Sequence, residues 1–240
     1  MIFRIKLFQK VIEIHSLYKT VAYHCKEYMT QEGPADITVT VTQADIDAER
    51  EFAAKELGQS VVLSDNNLEI NAVHRKISIA CVGHNLFMMH GSVVAVDNCA
   101  YMFTALSGTG KSTHTNLWLK NIPGSFIVNG DKPFLHVGDT VSVCGTPWCG
   151  KEHLHTNIAV PLKAIVLLER GTTNEIEEIS FREVLPTLLS QSYRNADKTH
   201  LSMTLALIQK AAQSLRFYRL KCNMEDEAAL VAYNALHLTV

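Results

Sequence analysis

One stretch constrains this chain more than any other: Phe103-Thr104-Ala105-Leu106-Ser107-Gly108-Thr109-Gly110-Lys111-Ser112-Thr113, a glycine-rich turn between an apolar run and a helix-forming segment. Gly108 and Gly110 free the backbone so that its N–H groups can face a polyphosphate. A helix opening at Lys111 adds the positive end of its dipole. Lys111 can reach β and γ phosphates, and the Ser112 hydroxyl can ligate Mg²⁺. The whole string Ser107, Gly108, Thr109, Gly110, Lys111, Ser112 and Thr113 therefore reads as a phosphate-binding loop for a nucleoside triphosphate. Position 105, where such loops usually carry their first glycine, holds Ala105. A loop of this kind needs a strand directly before it and a helix directly after it, which points to an α/β core.

The surrounding residues supply that frame. Val93-Val94-Ala95-Val96 and Ala100-Tyr101-Met102-Phe103 form two apolar runs around Asp97-Asn98, the pattern of a hairpin leading into the loop. Phe126-Ile127-Val128 reads as the next buried strand, and Asp131 follows it in Asn129-Gly130-Asp131. A carboxylate at that point is where such folds hold Mg²⁺ or its water; the plain alternative is an acid in a turn. His90, at the start of the hairpin, reads from the residues alone as a strand-edge histidine. Lys151, which closes Gly145-Thr146-Pro147-Trp148-Cys149-Gly150, is either a contact to phosphate or acceptor, or simply a solvated lysine. Cys144, Cys149, His153 and His155 lack the spacing of a structural zinc site. Arg194, after a helix, is read as satisfying that helix's carbonyls.

Residues 1–85 form a small α/β lobe without chemical motifs. Ile2 to Phe8 alternates as a strand, Ser16 offers an N-cap to a helix carrying Val21 and Cys25, and Ile37, Val39 and Val41 mark a second strand. Thr42-Gln43-Ala44-Asp45 resembles a capping box, and Ile70, Val73, Ile77 and Cys81 mark a further helix. Residues 86–240 carry the loop, a mixed sheet and a mostly helical last quarter with a capping box at Ser180-Phe181-Arg182-Glu183. A formal net charge of -2 over 240 residues provides no field to draw nucleic acid or an anionic membrane. Apolar runs such as Ile165 to Leu168 fall far short of the roughly 20 residues of a spanning helix. The N-terminus lacks a signal-peptide block, and the cysteines, lying mostly in apolar segments, read as reduced thiols in a cytoplasm.

Met89-His90-Gly91-Ser92, followed by Phe103 to Ser112, resembles the core of bacterial HPr kinase/phosphorylase and of ATP-dependent phosphoenolpyruvate carboxykinase. Asn129 to Pro133 and Gly145 to Lys151 are similar to the HPr-kinase-like branch, and the resemblance runs from about Phe87 to Arg194. It implies a mixed-sheet P-loop kinase core that uses ATP and Mg²⁺ to phosphorylate a Ser or Thr hydroxyl of a peptide or small protein. It also implies phosphorolysis as a reverse direction, and self-association into a homo-oligomer. It places His90 near the γ-phosphate or metal, Lys111 on the phosphates, and Ser112 and Asp131 on the metal. Where the relatives carry two consecutive acids, this chain has Gly130-Asp131, and the acid missing at 130 is the one implicated as base. That leaves His90 or Asp131 to take the acceptor's proton. Ala105 and Gly130 together also motivate an alternative, a nucleotide-binding regulator or adaptor with little catalysis.

Overall fold

The computed structural model describes residues 1–57, 63–193 and 197–237; Arg194 lies outside them. The chain divides into two compact units, Met1–Cys81 and Val82–Val240.

In the first unit, β1 (Ile2–Leu7) and β2 (Lys10–His15) pair antiparallel with Ile5 opposite Ile12. Both isoleucines are fully buried. Sequence reading missed β2, although Val11-Ile12-Glu13-Ile14 has a strand's composition. After α1 (Lys19–His24), β3 (Ile37–Thr40) adds parallel to β2. Its isoleucine and valine point inward and its threonines outward, as a period of two requires. Two helices complete the unit, α2 (Gln43–Leu57) and α3 (Asp65–Val82). Asp45 accepts from the N–H and the hydroxyl of Thr42, each at 2.8 Å, which fixes the entry to α2. Ser16 does not cap α1, whose N-cap is Tyr18 with no side-chain cap of its own. Instead the buried carboxylate of Glu69, on α3, accepts the backbone N–H groups of Leu17 and Tyr18. A partner brought from another helix has no local sequence signature.

Among the described residues the second unit is a mixed α/β body built on a nine-stranded sheet. Its strands and helices are, in order, β4 (Leu86–Met88), β5 (Ser92–Val96), β6 (Cys99–Thr104), α4 (Lys111–Asn121), β7 (Phe126–Asn129), β8 (Phe134–Val137), β9 (Val141–Cys144), β10 (Ala159–Arg170), β11 (Glu175–Glu178), α5 (Phe181–Gln191), α6 (Lys198–Ala211), β12 (Arg216–Cys222) and α7 (Glu227–His237). β5 and β6 form the expected hairpin, with Val96 opposite Cys99. Asp97 and Asn98 both take positive φ, 49° and 60°, the geometry that suits the twist of a two-residue turn and that Asp and Asn tolerate. β6, β10 and β12 run parallel. The first residues of β10 pair with β9 and its later residues with β12. This one strand thus spans two parts of a curled sheet, which explains its length of 12 residues.

Apolar side chains fill both faces. On one, Phe87, Met102, Ile165 and Phe217 meet Val184 and Leu188 of α5 and Leu207 and Ile208 of α6. On the other, Tyr101, Phe103 and Val166 meet Trp118 of α4 and Ala228, Ala229 and Ala232 of α7. Trp118 is fully buried against Tyr101, Phe103 and Tyr233, with ring centroids 5.5 to 5.7 Å apart. Its indole N–H donates to His114 Nε2 at 3.1 Å. Burial pushes His114 down to about 4, so the folded protein holds it neutral.

A pH dependence of stability follows. Between about pH 6.5 and pH 4 the unfolded chain takes up a proton that folded His114 refuses. Its contribution is therefore complete above pH 6.5 and is lost as pH falls toward 4. The gap corresponds to on the order of 3 kcal/mol. Urea unfolding at pH 7 and pH 4.5 should show this loss, and His114→Gln should flatten the slope. An equal slope in both proteins would remove His114 as its source.

Candidate functional site

The loop after β6 begins at Ala105, which does not occupy the left-handed region. Alanine is therefore unstrained there, and the departure from the usual glycine has no backbone consequence. Gly108 and Gly110 do need to be glycine, with φ of 78° and 120°, and open space surrounds the position of a Cβ at both. Gly110 is the N-cap of α4 and provides no side-chain cap. The first bond of the helix ladder is His114 N–H to Gly110 C=O at 2.9 Å. The N–H groups of Lys111, Ser112 and Thr113 thus precede any helical acceptor. This is a helix start left free to meet an anion.

Lys111 is buried, and its Nζ donates to Ala105 C=O at 3.0 Å and Leu106 C=O at 3.5 Å. Burial lowers its pKa and the charge of Asp131 raises it, with burial the larger effect. Asp131 lies beyond β7, in a turn held by Asn129. The fully buried Asn129 accepts the N–H groups of Asp131 and Lys132 at 2.9 and 2.8 Å through Oδ1. Its Nδ2 donates to the carbonyl and hydroxyl oxygens of Thr146 at 3.0 and 3.1 Å. Asp131 Oδ1 pairs with His90 Nε2 at 2.8 Å. Burial alone would push the Asp131 carboxyl up, but the His90 hydrogen bond and the charges of Lys132, His90 and Lys111 outweigh it and hold the group below its usual range. On its other side His90 Nδ1 meets Gln191 Oε1 at 2.9 Å, and the His90 N–H donates to Gln191 C=O at 2.7 Å.

These groups surround one cavity of about 480 Å³. His90, Ser107, Gly108, Gly110, Lys111, Ser112, Thr113, Asp131 and Lys151 all line it. Thr109 does not: its N–H and hydroxyl both turn back to Leu106 C=O, at 3.3 and 2.9 Å. Lys151 stands exposed on the segment that follows β9. His90 is more than a strand-edge histidine, since the two ring nitrogens are engaged by residues from different elements. Cys144 and Cys149 donate to the carbonyls of Phe134 and Pro147, and among the described residues no group of three His, Cys, Asp or Glu comes together as a metal cluster.

Gly130 is the position where the structure changes the sequence reading. Its N–H donates to Leu154 C=O at 3.0 Å. A Cβ there would lie 2.8 Å from Cys149 O and 3.4 Å from Leu154 O. The segment Cys149 to Leu154 occupies the space that a side chain at 130 would need, so glycine is a packing requirement.

Asn129, Thr146, Gln191 and Arg170 are the residues that sequence reading missed. Asn129 carried a signal, because an Asn two residues before an acid readily forms an Asx turn. Gln191 and Thr146 carried none, being joined to the site only by the fold. Arg170, at the end of β10, donates from Nη2 to Gly108 C=O at 2.6 Å and from Nε to Thr109 C=O at 3.4 Å.

Acid, cation and uncapped helix start fit a Mg²⁺-bound polyphosphate. Asp131 is held ionised, Ser112 offers a hydroxyl, and a Mg²⁺ site commonly uses one or two carboxylates with phosphate oxygens.

No family model and no curated protein matches the chain. Among solved structures, the HPr(Ser) kinase/phosphatase from Coxiella burnetii is similar over 63% of this chain and 97% of that chain, at 10% identity and a TM-score of 0.29. A likeness that slight does not bear on function.

Proposed function

We propose that this protein is an ATP- and Mg²⁺-dependent phosphotransferase that moves the γ-phosphate to a hydroxyl of a peptide or small protein, within a P-loop kinase core of the HPr-kinase-like type. The observation that carries the reading is the convergence of Lys111, Ser112, Asp131 and His90 on the cavity at the uncapped start of α4. The loop N–H groups and Lys111 bind and orient the phosphates. Ser112 and Asp131 hold the Mg²⁺, which supplies positive charge to offset what builds up on the transferring group. His90, whose Nδ1 meets Gln191, pairs through Nε2 with Asp131 Oδ1, while Asp131 Oδ2, 3.8 Å from Lys132 Nζ, is the oxygen that would meet the metal. The acceptor hydroxyl passes its proton to the Asp131–His90 pair as its oxygen bonds to the γ-phosphorus, and the bond from that phosphorus to the β,γ-bridging oxygen breaks to release ADP. Lys151, on the rim, attracts the phosphate or the acceptor.

ADP formation from ATP·Mg²⁺ with a panel of serine- and threonine-containing acceptors tests the reading. Nucleotide binding with no transfer to any hydroxyl would favour the second reading, a nucleotide-binding regulator. The absence of any room for an acid at Gly130 is the observation on that side.

Asp131→Asn should weaken Mg²⁺-dependent ATP binding by about tenfold, the loss of roughly one charged contact, and should spare ADP binding without metal. Calorimetric titrations with and without Mg²⁺ separate the two. The same Mg²⁺ dependence in variant and parent would remove Asp131 from the metal site.

A further inference from the structure

The phosphate cavity is not alone at the loop. A second cavity of about 570 Å³ lies on the other flank, walled by the loop from Ala105 to Thr109, by the end of β10 from Leu167 to Arg170, and by Thr187 of α5. Ser107 and Gly108 line both cavities. The second one sits at the carboxyl ends of β6 and β10, parallel neighbours with Leu167 opposite Thr104. In α/β sheets, the crevice outside the carboxyl ends of parallel strands is where ligands are held.

Its lining differs in chemistry from that of the phosphate cavity. Leu106, 71% exposed, and the partly buried Leu167 present apolar surface. The guanidinium of Arg170 is tied to the carbonyls of Gly108 and Thr109, which fixes a planar cation at the cavity wall. Such a group stacks on aromatic rings with little further ordering. Among the described residues the one carboxylate here, Glu169, is paired with Arg219 Nε at 3.1 Å. A flat aromatic body with a polar edge suits this lining, and a polyphosphate suits the other cavity. We propose that the second cavity receives the nucleoside of the bound nucleotide, with the Arg170 guanidinium against the face of its base. The proposal rests on the phosphate reading of the first cavity.

Calorimetric titration of ATP·Mg²⁺ and of tripolyphosphate·Mg²⁺ into the full chain and two variants tests it. Arg170→Ala removes the stacking cation. Thr187→Trp fills the cavity from α5 and leaves the loop's hydrogen bonds alone. The expected result is tighter binding of ATP than of tripolyphosphate by the parent. Both variants should lose roughly 2- to 30-fold in ATP affinity, the range of a cation–π contact, with tripolyphosphate affinity unchanged in Thr187→Trp. Equal affinity of the parent for both ligands, or unchanged ATP affinity in Thr187→Trp, would overturn the nucleoside site and leave the phosphate reading standing. A parallel loss of both ligands in Thr187→Trp would also overturn it. Failure of the parent to bind either ligand would sink the phosphate reading, and the nucleoside site with it.

Discussion

Lys111→Ala should abolish tight ATP binding and leave the protein folded. The side chain provides the cation inside the loop, and each hydrogen bond from a charged donor contributes about 1.5–3 kcal/mol. Losing two such contacts to phosphate oxygens would weaken binding by roughly 10²- to 10⁴-fold. Stability should behave differently. In the free protein the ammonium is buried and hydrogen-bonded, among the described residues, to the carbonyls of Ala105 and Leu106, and burial lowers its pKa. A group whose charged form is disfavoured by folding stabilises the native state little at neutral pH. The unfolding midpoint of Lys111→Ala should therefore stay level or rise. Titration calorimetry and thermal unfolding on the same preparation check both halves. Undiminished ATP affinity in a folded variant would end the phosphate-loop reading. A large drop in melting temperature would mean that Lys111 holds the loop together.

The parts of this protein that were legible in its sequence are those whose causes are local. The hairpin before the loop was legible because Asp97-Asn98 sits between two apolar runs and tolerates the positive φ that such a turn needs. The capping box of α5 was legible because Ser180 and Glu183 satisfy each other within one turn. The glycines at 108 and 110 could be read because their reason is their own backbone. Elsewhere the cause lies at a distance. The entry to α1 is held by Glu69 from α3, which accepts the Leu17 and Tyr18 N–H groups, so Ser16 misled. His90 draws its second partner from the end of α5, and nothing near residue 90 announces Gln191. β11 and α7 were missed because Glu175 to Glu178 offers almost no apolar alternation and α7 is rich in alanine, whose burial depends on packing against α4.

Gly130 is the clearest case of a distant cause, and its substitution should separate two accounts of the site. Read from the sequence, Gly130 stands where relatives carry an acid, and Gly130→Asp either restores a base or, where His90 or Asp131 already takes the proton, adds only negative charge beside the γ-phosphate. A positioned base contributes about 10²- to 10⁴-fold, so a restored one would raise transfer to a hydroxyl. The structure predicts the opposite. An aspartate's Cβ would press on Cys149 O at 2.8 Å, and that atom is backbone. To make room, the segment carrying Cys149, Gly150 and Lys151 must move. Gly150 lies against Asp131, with 3.2 Å between a Cβ placed there and Asp131 Cβ. Moving the segment therefore disturbs the carboxylate that His90 and Asn129 hold in place. Overpacking of this kind costs about 1–3 kcal/mol, and a misplacement near 1 Å at a reacting group costs about a hundredfold in rate. Gly130→Asp should thus lower both the unfolding midpoint and single-turnover transfer, the latter by about a hundredfold. Gly130→Ala should do nearly the same, since the clash is with the Cβ and needs no charge. That second variant isolates the cause: a normal rate in Gly130→Ala with a depressed one in Gly130→Asp would assign the effect to the added negative charge. A gain of rate in Gly130→Asp would show that the segment yields easily and that the site does lack a base.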